Sequence, residues 1–559
     1  MISTKKQIQQ LASILLARRI VDVVISPGSR NGPLVHTFVG SKKFNCRLIV
    51  DERSAGYFAL GLAQVRQKAV VLVCTSGTAA LNYAPAVAEA FYQNIPLIVL
   101  TADRPEYLID QGENQTIRQE NIYRNFCKKQ VNLPMEESDT ALWYGQRLIN
   151  EALHMVFSGS PGPVHLNIPL EEPLHQMIRK KLPPVKMMET AYAKRLIQEN
   201  EWTEVIRIFN QAEKIWILAG QQPPDSKLEM LLGKLTKKTG AIVLKEHLAN
   251  LNLPVFSCLP DLVFTAYLHR DPSVVIPDLI ITFGGAIVSK SLKQFLKKNR
   301  PVHHWHLSLS DQYCDTYQSL TRLINMEAID FLQQITERAD PKSDNYYTWW
   351  KEQENRVKSH RDKYIAGIDF CDLRIFHLLS NHLPENTIVH LGNSSPVRYA
   401  LVCDAAKNVE YYGNRGTSGI DGSLSAAVGF ASESTKLNTV ILGDLSFFYD
   451  SNALWNKYLG ANLRIIVIHN GGGNLFSLID GTQESPAFRE YFLTENKTSA
   501  EGLAQTFGLD YIRAEDETSF NSALLKLYAP AQQNAVLLEV FTNPELNASY
   551  YRKLLRSIY

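Results

Sequence analysis

The sequence predicts an α/β architecture of three doubly wound parallel-sheet domains, and three observations carry that expectation. Short runs of strand length recur along all 559 residues, separated by stretches with helical spacing. The runs are apolar throughout rather than alternating, as strands covered on both faces must be. Two polar segments, Arg179–Lys186 (RKKLPPVK) and Ala339–Asn345, interrupt the alternation and mark boundaries.

Ser3 is read as the cap of a first helix carrying Ile8, Leu11, Leu15 and Leu16. Val21–Ile25 is the first strand, stopped by Pro27-Gly28. Arg47–Val50, Val70–Cys74, Ile95–Leu100 and Val164–Ile168 follow, with Ser54–Leu62 helical. The second block has strands at Ile215–Ala219, Ala241–Leu244, Leu279–Phe283 and Val302–Leu307. The third has Thr387–Leu391, Thr439–Leu442, Leu463–His469 and Ala535–Phe541, with Asp450 or Ser451 capping a helix behind LSFFYDSNALW. The expected domains are therefore 1–180, 190–340 and 345–559. The sequence shows no short-period repeat or low-complexity tract.

Lys plus Arg (58) nearly balance Asp plus Glu (56), for a formal net charge of +2, which is not the footprint of a nucleic-acid binder. The seven cysteines are scattered, without zinc-ligand or redox spacing, and read as reduced thiols. Met1–Gln10 lacks the apolar core of a signal peptide, and no run approaches the roughly 18 apolar residues of a membrane span. A cytoplasmic protein without a membrane span is expected.

The chemistry-bearing residues stand at strand ends, where open parallel sheets bind ligands. TVILGD ends at Gly443-Asp444; LRIIVIHN ends at Asn470 and runs into Gly471-Gly472-Gly473, with 25 residues between Asp444 and Asn470. Mg²⁺ takes hard oxygen ligands shared with phosphates. An Asp carboxylate, an Asn carbonyl and a backbone carbonyl from the glycine run supply three, and diphosphate oxygens with water complete the shell. Either half alone is commonly just a turn; the pair is specific. Basic residues follow the same placement. Ser29 and Arg30 follow the first strand, and Arg104 follows another, with Asn114 and Gln115 beyond it. Lys290, Ser394 with Arg398, and Arg415 stand in the later blocks. A lone arginine is usually a surface ion pair. Several at strand ends in all three blocks predict a substrate set with several carboxylates, which arginine forks bind in a bidentate way.

The series Gly-Asp, helix, strand, Asn resembles the fingerprint of thiamine-diphosphate enzymes, which implies three domains: pyrimidine-binding, central and diphosphate-binding. The resemblance implies thiamine diphosphate and Mg²⁺ as cofactors, with Mn²⁺ as a substitute metal, and Asp444, Asn470 and the Gly472 carbonyl as metal ligands. This chain has Gly-Asp-Leu and His-Asn where many members have Gly-Asp-Gly and Asn-Asn; the departures flank the ligands. The family places an activating Glu after an N-terminal strand, and RLIVDERSAGYFALGLA offers Glu52. A Glu facing an apolar cofactor pocket has a raised pKa, which suits proton exchange with a neutral ring. Read alone, Glu52 is a surface charge in an Asp-Glu-Arg turn. Thr78 and Asn82, beyond Thr75-Ser76-Gly77, fit both a helix cap and a cofactor contact. Ile420 corresponds to the family's aliphatic prop beneath the cofactor rings, and Ser418, Leu445, Ser446 and Leu475 complete the implied contacts. Since the family pairs the Glu of one subunit with the diphosphate domain of another, a homodimer or homotetramer with interfacial sites is implied.

SPGSRNGPL, DERSAGYFALG, TSGTAALNYAPAV, TADRPEYL with ENQTIRQ, and NRGTSGIDG resemble the 2-succinyl-5-enolpyruvyl-6-hydroxy-3-cyclohexene-1-carboxylate synthases of menaquinone biosynthesis, over nearly the whole chain. That resemblance implies decarboxylation of 2-oxoglutarate on thiamine and 1,4-addition of the succinic-semialdehyde carbanion to isochorismate. By motif, Ser394, Arg398 and Arg415 hold the oxoglutarate-derived carboxylate. Ser29, Arg30, Arg104, Asn114, Gln115 and Lys290 engage isochorismate or orient the adduct. Leu475 and Phe476 wall the pocket. Ser291 stands where some members carry a second basic residue. The alternatives are weaker. An acetolactate-synthase-like enzyme usually carries FAD, yet no glycine-rich dinucleotide loop lies between Ile215 and Leu307. A non-catalytic nucleotide binder has no use for Glu52. His304 and His306 share a strand face but lack a third metal ligand.

Overall fold

The computed structural model describes residues 1–191, 193–258, 260–267, 271–479, 481–530 and 532–558. The chain divides into two compact units. The first is Met1–Tyr192 with Asn414–Thr435 and Tyr449–Leu463; the second is Ala193–Gly413 with Lys436–Phe448 and Arg464–Tyr559.

The sheet of the first unit has six strands, in the spatial order Asn45–Leu48, Asp22–Ile25, Val70–Cys74, Leu97–Asp103, Val164–Pro169, Lys129–Asn132. All its pairings are parallel. Val70–Cys74 and Leu97–Asp103 are buried along their whole length, which explains their unbroken apolar runs. The order reverses direction between Asp22–Ile25 and Val70–Cys74, which opens a crevice at their carboxyl ends.

The second unit holds two sheets. One has the order Ile242–Lys245, Ile215–Ala219, Leu279–Phe283, His303–Leu307, Arg322–Ile324, with parallel pairings. The other has the order Glu410–Tyr412, Ile388–Leu391, Asn438–Gly443, Leu463–His469, Val536–Phe541, Asp510–Ala514. Ile388–Leu391 and Val536–Phe541 each pair in parallel with both neighbours. Counted within each sheet, the two six-stranded sheets share one order, second-first-third-fourth-sixth-fifth, so the same reversal recurs between Ile388–Leu391 and Asn438–Gly443.

Several expectations are corrected. The strands Lys129–Asn132, Arg322–Ile324, Glu410–Tyr412 and Asp510–Ala514 were not expected, and every one lies at a sheet edge. Edge strands are covered on fewer sides and need no apolar run to announce them. Ser3 belongs to a two-residue strand, Ile2–Ser3, paired antiparallel with Met177–Ile178, and the first helix starts at Lys6 without a side-chain cap. The helix after the Gly-Asp turn begins at Asp444 itself and ends at Tyr449.

Asp450 does not cap the 3-10 turn Ser451–Leu454 that follows it. Its carboxylate instead accepts from Ser425 N and Ser425 Oγ, both at 2.7 Å, at the start of the helix Ser423–Ala431. That helix packs against Glu52–Arg66 within the first unit. A Cβ on Gly61 would collide with the Ala426 carbonyl, and one on Gly429 with the Phe58 carbonyl, so both helices need glycine where their backbones meet.

Burial raises the Asp450 pKa to about 6, with the Ser425 hydrogen bonds opposing the shift. The ordinary Asp value is about 3.9, so between these values the folded chain binds a proton that the unfolded chain releases. The Asp450 contribution to stability is fully present below about pH 4 and is lost as pH rises through about 6. Asp450→Asn removes this titration. In thermal unfolding followed by circular dichroism, the wild type should gain a few degrees relative to Asp450→Asn between about pH 7 and about pH 5. A difference independent of pH would contradict it.

Candidate active site

In the second unit, the reversal of sheet order brings Ser394 and Asp444 to adjacent strand ends, and Asn470 follows the next strand. Asp444 is 1 % exposed. Its Oδ1 accepts from Leu445 N at 2.8 Å and its Oδ2 from Asn496 Nδ2 at 3.2 Å. Burial raises its pKa, opposed by hydrogen bonds from Leu445, Asn496 and Gly472 and by the charge of His469. Asn470 Nδ2 donates to Asp372 Oδ2 at 2.7 Å. Asp372 is also buried, and its pKa is raised to about 6, first by burial and further by the like charge of Asp444.

The glycine run passes next to these carboxylates. Gly472 has φ +125°, and a Cβ there would collide with the carbonyl oxygens of Leu493 and Thr494. Its carbonyl accepts from Asn474 N at 2.8 Å. His469, the residue that departs from the common Asn-Asn pattern, lies 2.8 Å from Glu539 Oε1 through Nδ1 and 3.9 Å from Asp444 Oδ2 through Nε2. Burial works to lower the His469 pKa, but the Glu539 hydrogen bond and the neighbouring charges raise it overall. Leu475 and Phe476 stand on the 3-10 turn Asn474–Leu478, with the Phe476 ring 5.6 Å from that of Phe492. Leu445 is half-buried and Ser446 buried, both in the turn Asp444 begins.

These residues fit a divalent cation bound with a diphosphate. Neither Asp372 nor Asp444 has a salt bridge to lysine or arginine among the described residues. The Asn470 amide nitrogen is engaged, which leaves its oxygen as the available ligand. Among the described residues no three His, Cys, Asp or Glu side chains group as a metal site. The donors on offer are instead one carboxylate, one amide oxygen and one backbone carbonyl, and a cation held by them would need phosphate oxygens to complete an octahedron.

The remaining candidates of this unit lie at the starts of two helices, Lys290–Lys298 and Ser395–Leu401. Ser394 has φ +72°, and Arg398 Nη1 donates to its carbonyl at 2.6 Å. Burial lowers the Arg398 pKa, opposed by Tyr551 and Asp261. Lys290 is exposed at the first position of the helix Lys290–Lys298. The loop before it is held by the buried Glu246, which accepts from Val288 N and Ser289 N, both at 2.7 Å. Ser291 is buried, with its Oγ 2.9 Å from Thr265 Oγ1 and its N donating to Asp261 Oδ1 at 3.3 Å. It does not add to a surface clamp.

The other candidates belong to the first unit. Glu52 is the first residue of its helix, behind the cap formed by Asp51, which accepts from Ser54 N at 2.8 Å. It is half-buried, and burial raises its pKa. Its charge acts on the buried Cys74 thiol and Tyr83 hydroxyl. Gly77 (φ +84°) turns the chain after the neighbouring strand, and Gly77 N donates to Gln119 Oε1 at 2.8 Å. Thr78 and Asn82 are exposed at the two ends of one short helix, and Asn82 Nδ2 donates back to the Thr78 carbonyl at 3.1 Å.

Arg30 and Arg104 follow two strands of the same sheet and act on each other electrostatically. Arg30 Nη1 donates to Leu170 O at 2.9 Å and Nη2 lies 3.3 Å from Glu172. Arg104 Nη2 donates to Asn114 O at 2.9 Å. Burial lowers the Arg30 pKa and the charge of Arg104 lowers it further. Arg30 Nε, Arg104 Nε, Thr75 Oγ1 and Ser76 Oγ are buried without a hydrogen-bond partner. Leaving such groups unpaired is costly. Ser29, Asn114 and Gln115 are exposed.

Arg415 is buried on a loop, 414–421, whose anchor carries no local signal in the sequence. Glu89, fully buried, accepts from Gly416 N and Thr417 N, both at 2.7 Å, and Tyr57 Oη donates to Asp421 Oδ2 at 2.7 Å. This leaves Ser418 (φ +63°) and Ile420 exposed on the loop. Asp372, Glu89, Glu246 and Gln119 were all missed. Only Gln119 carried a signal, as the last residue of ENQTIRQ.

Residues 6–122 match the family described as "Thiamine pyrophosphate enzyme, N-terminal TPP binding domain", and residues 171–391 match "Middle domain of thiamine pyrophosphate". The chain is 41% identical to the 2-succinyl-5-enolpyruvyl-6-hydroxy-3-cyclohexene-1-carboxylate synthase of Bacteroides thetaiotaomicron, covering 99% of this chain and 100% of that one. It is 39% identical to the synthases of the same name from Flavobacterium johnsoniae, covering 98% of each chain, and Bacteroides fragilis, covering 99% and 100%. Among solved structures it is similar to the benzoylformate decarboxylase of Polynucleobacter necessarius, with a TM-score of 0.72 at 15% identity over 97% of this chain and 100% of that one, a likeness of fold.

Glu89→Gln leaves one acceptor for two backbone donors. It should lower stability by about 1–3 kcal/mol and expose 414–421 to proteolysis. Thermal unfolding and timed proteolysis check this; an unchanged cleavage rate there would remove Glu89 as the anchor.

Proposed function

We propose that this chain, which belongs to the 2-succinyl-5-enolpyruvyl-6-hydroxy-3-cyclohexene-1-carboxylate synthase family, releases CO₂ from 2-oxoglutarate and adds the remaining succinic-semialdehyde unit in a 1,4 sense to isochorismate, a step of menaquinone biosynthesis. It is a thiamine-diphosphate-dependent transferase. When bound, thiamine diphosphate supplies the electron sink that decarboxylation of a 2-oxo acid requires. The observation that carries the reading is the pair of cations Arg30 and Arg104, near enough for the charge of Arg104 to lower the Arg30 pKa. A substrate set with several carboxylates matches two neighbouring arginines, whereas a small monocarboxylate matches only one.

In this reading Glu52 holds and exchanges a proton with a cofactor ring nitrogen, as its raised pKa favours. Asp444, Asn470 and the Gly472 carbonyl hold Mg²⁺, or Mn²⁺ in its place, against the diphosphate. Thr78, Asn82, Ser418, Ile420, Leu445, Ser446 and Leu475 contact the cofactor. Ser394, Arg398 and Arg415 bind the 2-oxoglutarate carboxylate, and Ser29, Arg30, Arg104, Asn114, Gln115 and Lys290 orient isochorismate, with Phe476 as a wall that excludes water. The domain division is 1–180, 190–340 and 345–559. The working assembly is a homodimer or homotetramer with shared sites, in the cytoplasm. Among the described residues no helix is long and apolar enough to cross a membrane.

The test is isochorismate absorbance with each component omitted in turn. Consumption should require 2-oxoglutarate, thiamine diphosphate and Mg²⁺ together, and turnover without thiamine diphosphate would overturn the reading. Glu52→Gln should lower kcat by about 10²-fold or more. Arg398→Ala and Arg415→Ala should raise KM for 2-oxoglutarate at least about tenfold, with a smaller effect on isochorismate.

A further inference from the structure

We infer that Asp372 is a positioning residue that dictates which end of the Asn470 amide faces Asp444, an inference that rests on the metal site proposed above. A closed run of hydrogen bonds settles its polarity. Asp372 N donates to Asn547 Oδ1 at 2.8 Å, and a backbone N–H can only donate. Asn547 therefore turns its nitrogen to Thr542, donating to Oγ1 at 3.0 Å. Thr542 directs its one proton to Asp372 Oδ1 at 2.7 Å. Asp372 Oδ2 then accepts from Asn470 Nδ2 at 2.7 Å. Asp372, Asn547 and Asn470 are 1 %, 0 % and 3 % exposed, so water cannot readily substitute for a missing partner.

The consequence is chemical selectivity. Asn470 keeps its oxygen for the cation, and the ligand face it shares with Asp444 consists of oxygen alone, as a hard divalent ion requires. With the amide reversed, two N–H donors would point at the metal. Asp372 touches neither cofactor nor substrate in this account; it acts through Asn470.

The test is calorimetric titration of Mg²⁺ into protein saturated with thiamine diphosphate, for wild type, Thr542→Val, Asp372→Asn, Asn470→Asp and the double variant Asp372→Asn/Asn470→Asp. Thr542→Val should weaken Mg²⁺ binding several-fold, and each of the other single variants about tenfold or more. The double variant exchanges carboxylate and amide. The amide at position 372 can then donate to the carboxylate at position 470, whose second oxygen faces the cation. It should recover to within about threefold of wild type. A merely structural Asp372 predicts no such recovery. Unfolding midpoints without metal should hold or rise in Asp372→Asn, because one of two neighbouring buried charges is gone. Wild-type affinity in both Thr542→Val and Asp372→Asn would overturn the inference, as would a double variant no better than its weaker parent. If Asp372→Asn does not fold, the recovery of the double variant relative to Asn470→Asp decides. Thiamine diphosphate binding by the wild type without any Mg²⁺ requirement would sink the metal site itself, a distinct result that removes the inference with it.

Discussion

A parallel strand delivers its carboxyl end, and the residue after it, to one edge of its sheet, and this constraint governs where the chemistry of the chain stands. Both six-stranded sheets reverse their order between the same pair of strands. At that reversal neighbouring connections leave in opposite directions and a crevice opens between them. Ser29, Arg30 and Thr75–Thr78 follow its two flanking strands in the first unit; Ser394 and Asp444 follow those in the second. The loops need no long reach, because the sheet has already brought their starting points together.

Loops at a sheet edge must still be held, and buried carboxylates do much of that holding. Glu89, Glu246, Asp372, Asp450 and Glu539 are each at most 4 % exposed, and each accepts at least two hydrogen bonds from residues outside its own element. A carboxylate removed from water is costly unless such donors replace the lost hydration. Once they do, the donors are bound as tightly as the acid needs them, so each acid locks the loop that supplies its N–H groups. Glu89 locks the Arg415 loop, Glu246 the loop before Lys290, and Asp372 the orientation of Asn470. The raised pKa values of Asp372, Asp450 and Glu246 record how incompletely burial is offset.

Much of this arrangement was legible in the residues. Central strands were legible because burial on both faces demands unbroken apolar runs, and Asp444, Asn470 and Arg104 stand directly after such strands, whereas Glu52 follows an edge strand with one buried residue. The four unforeseen strands of the parallel sheets are edge strands, covered on fewer sides and thus free to carry polar residues, as Lys129–Asn132 does. Asp450 was assigned to the turn beside it, where a local cap was the natural reading. It serves a helix 25 residues earlier in the chain, and no local pattern encodes that.

The sequence by itself determined the fold class, the strand-end placement of the candidate ligands and the family, because hydrophobic periodicity and short motifs are written in consecutive residues. Tertiary structure alone decided which carboxylate anchors which loop, that Ser291 is buried rather than available to a substrate, and that the Asn470 amide presents oxygen rather than nitrogen. Those outcomes depend on partners such as Asp372 and Glu89 that lie 98 and 327 residues from the groups they hold. A hydrogen bond between residues so far apart exists only after the sheets have formed, and neither partner carries a local sign of the other.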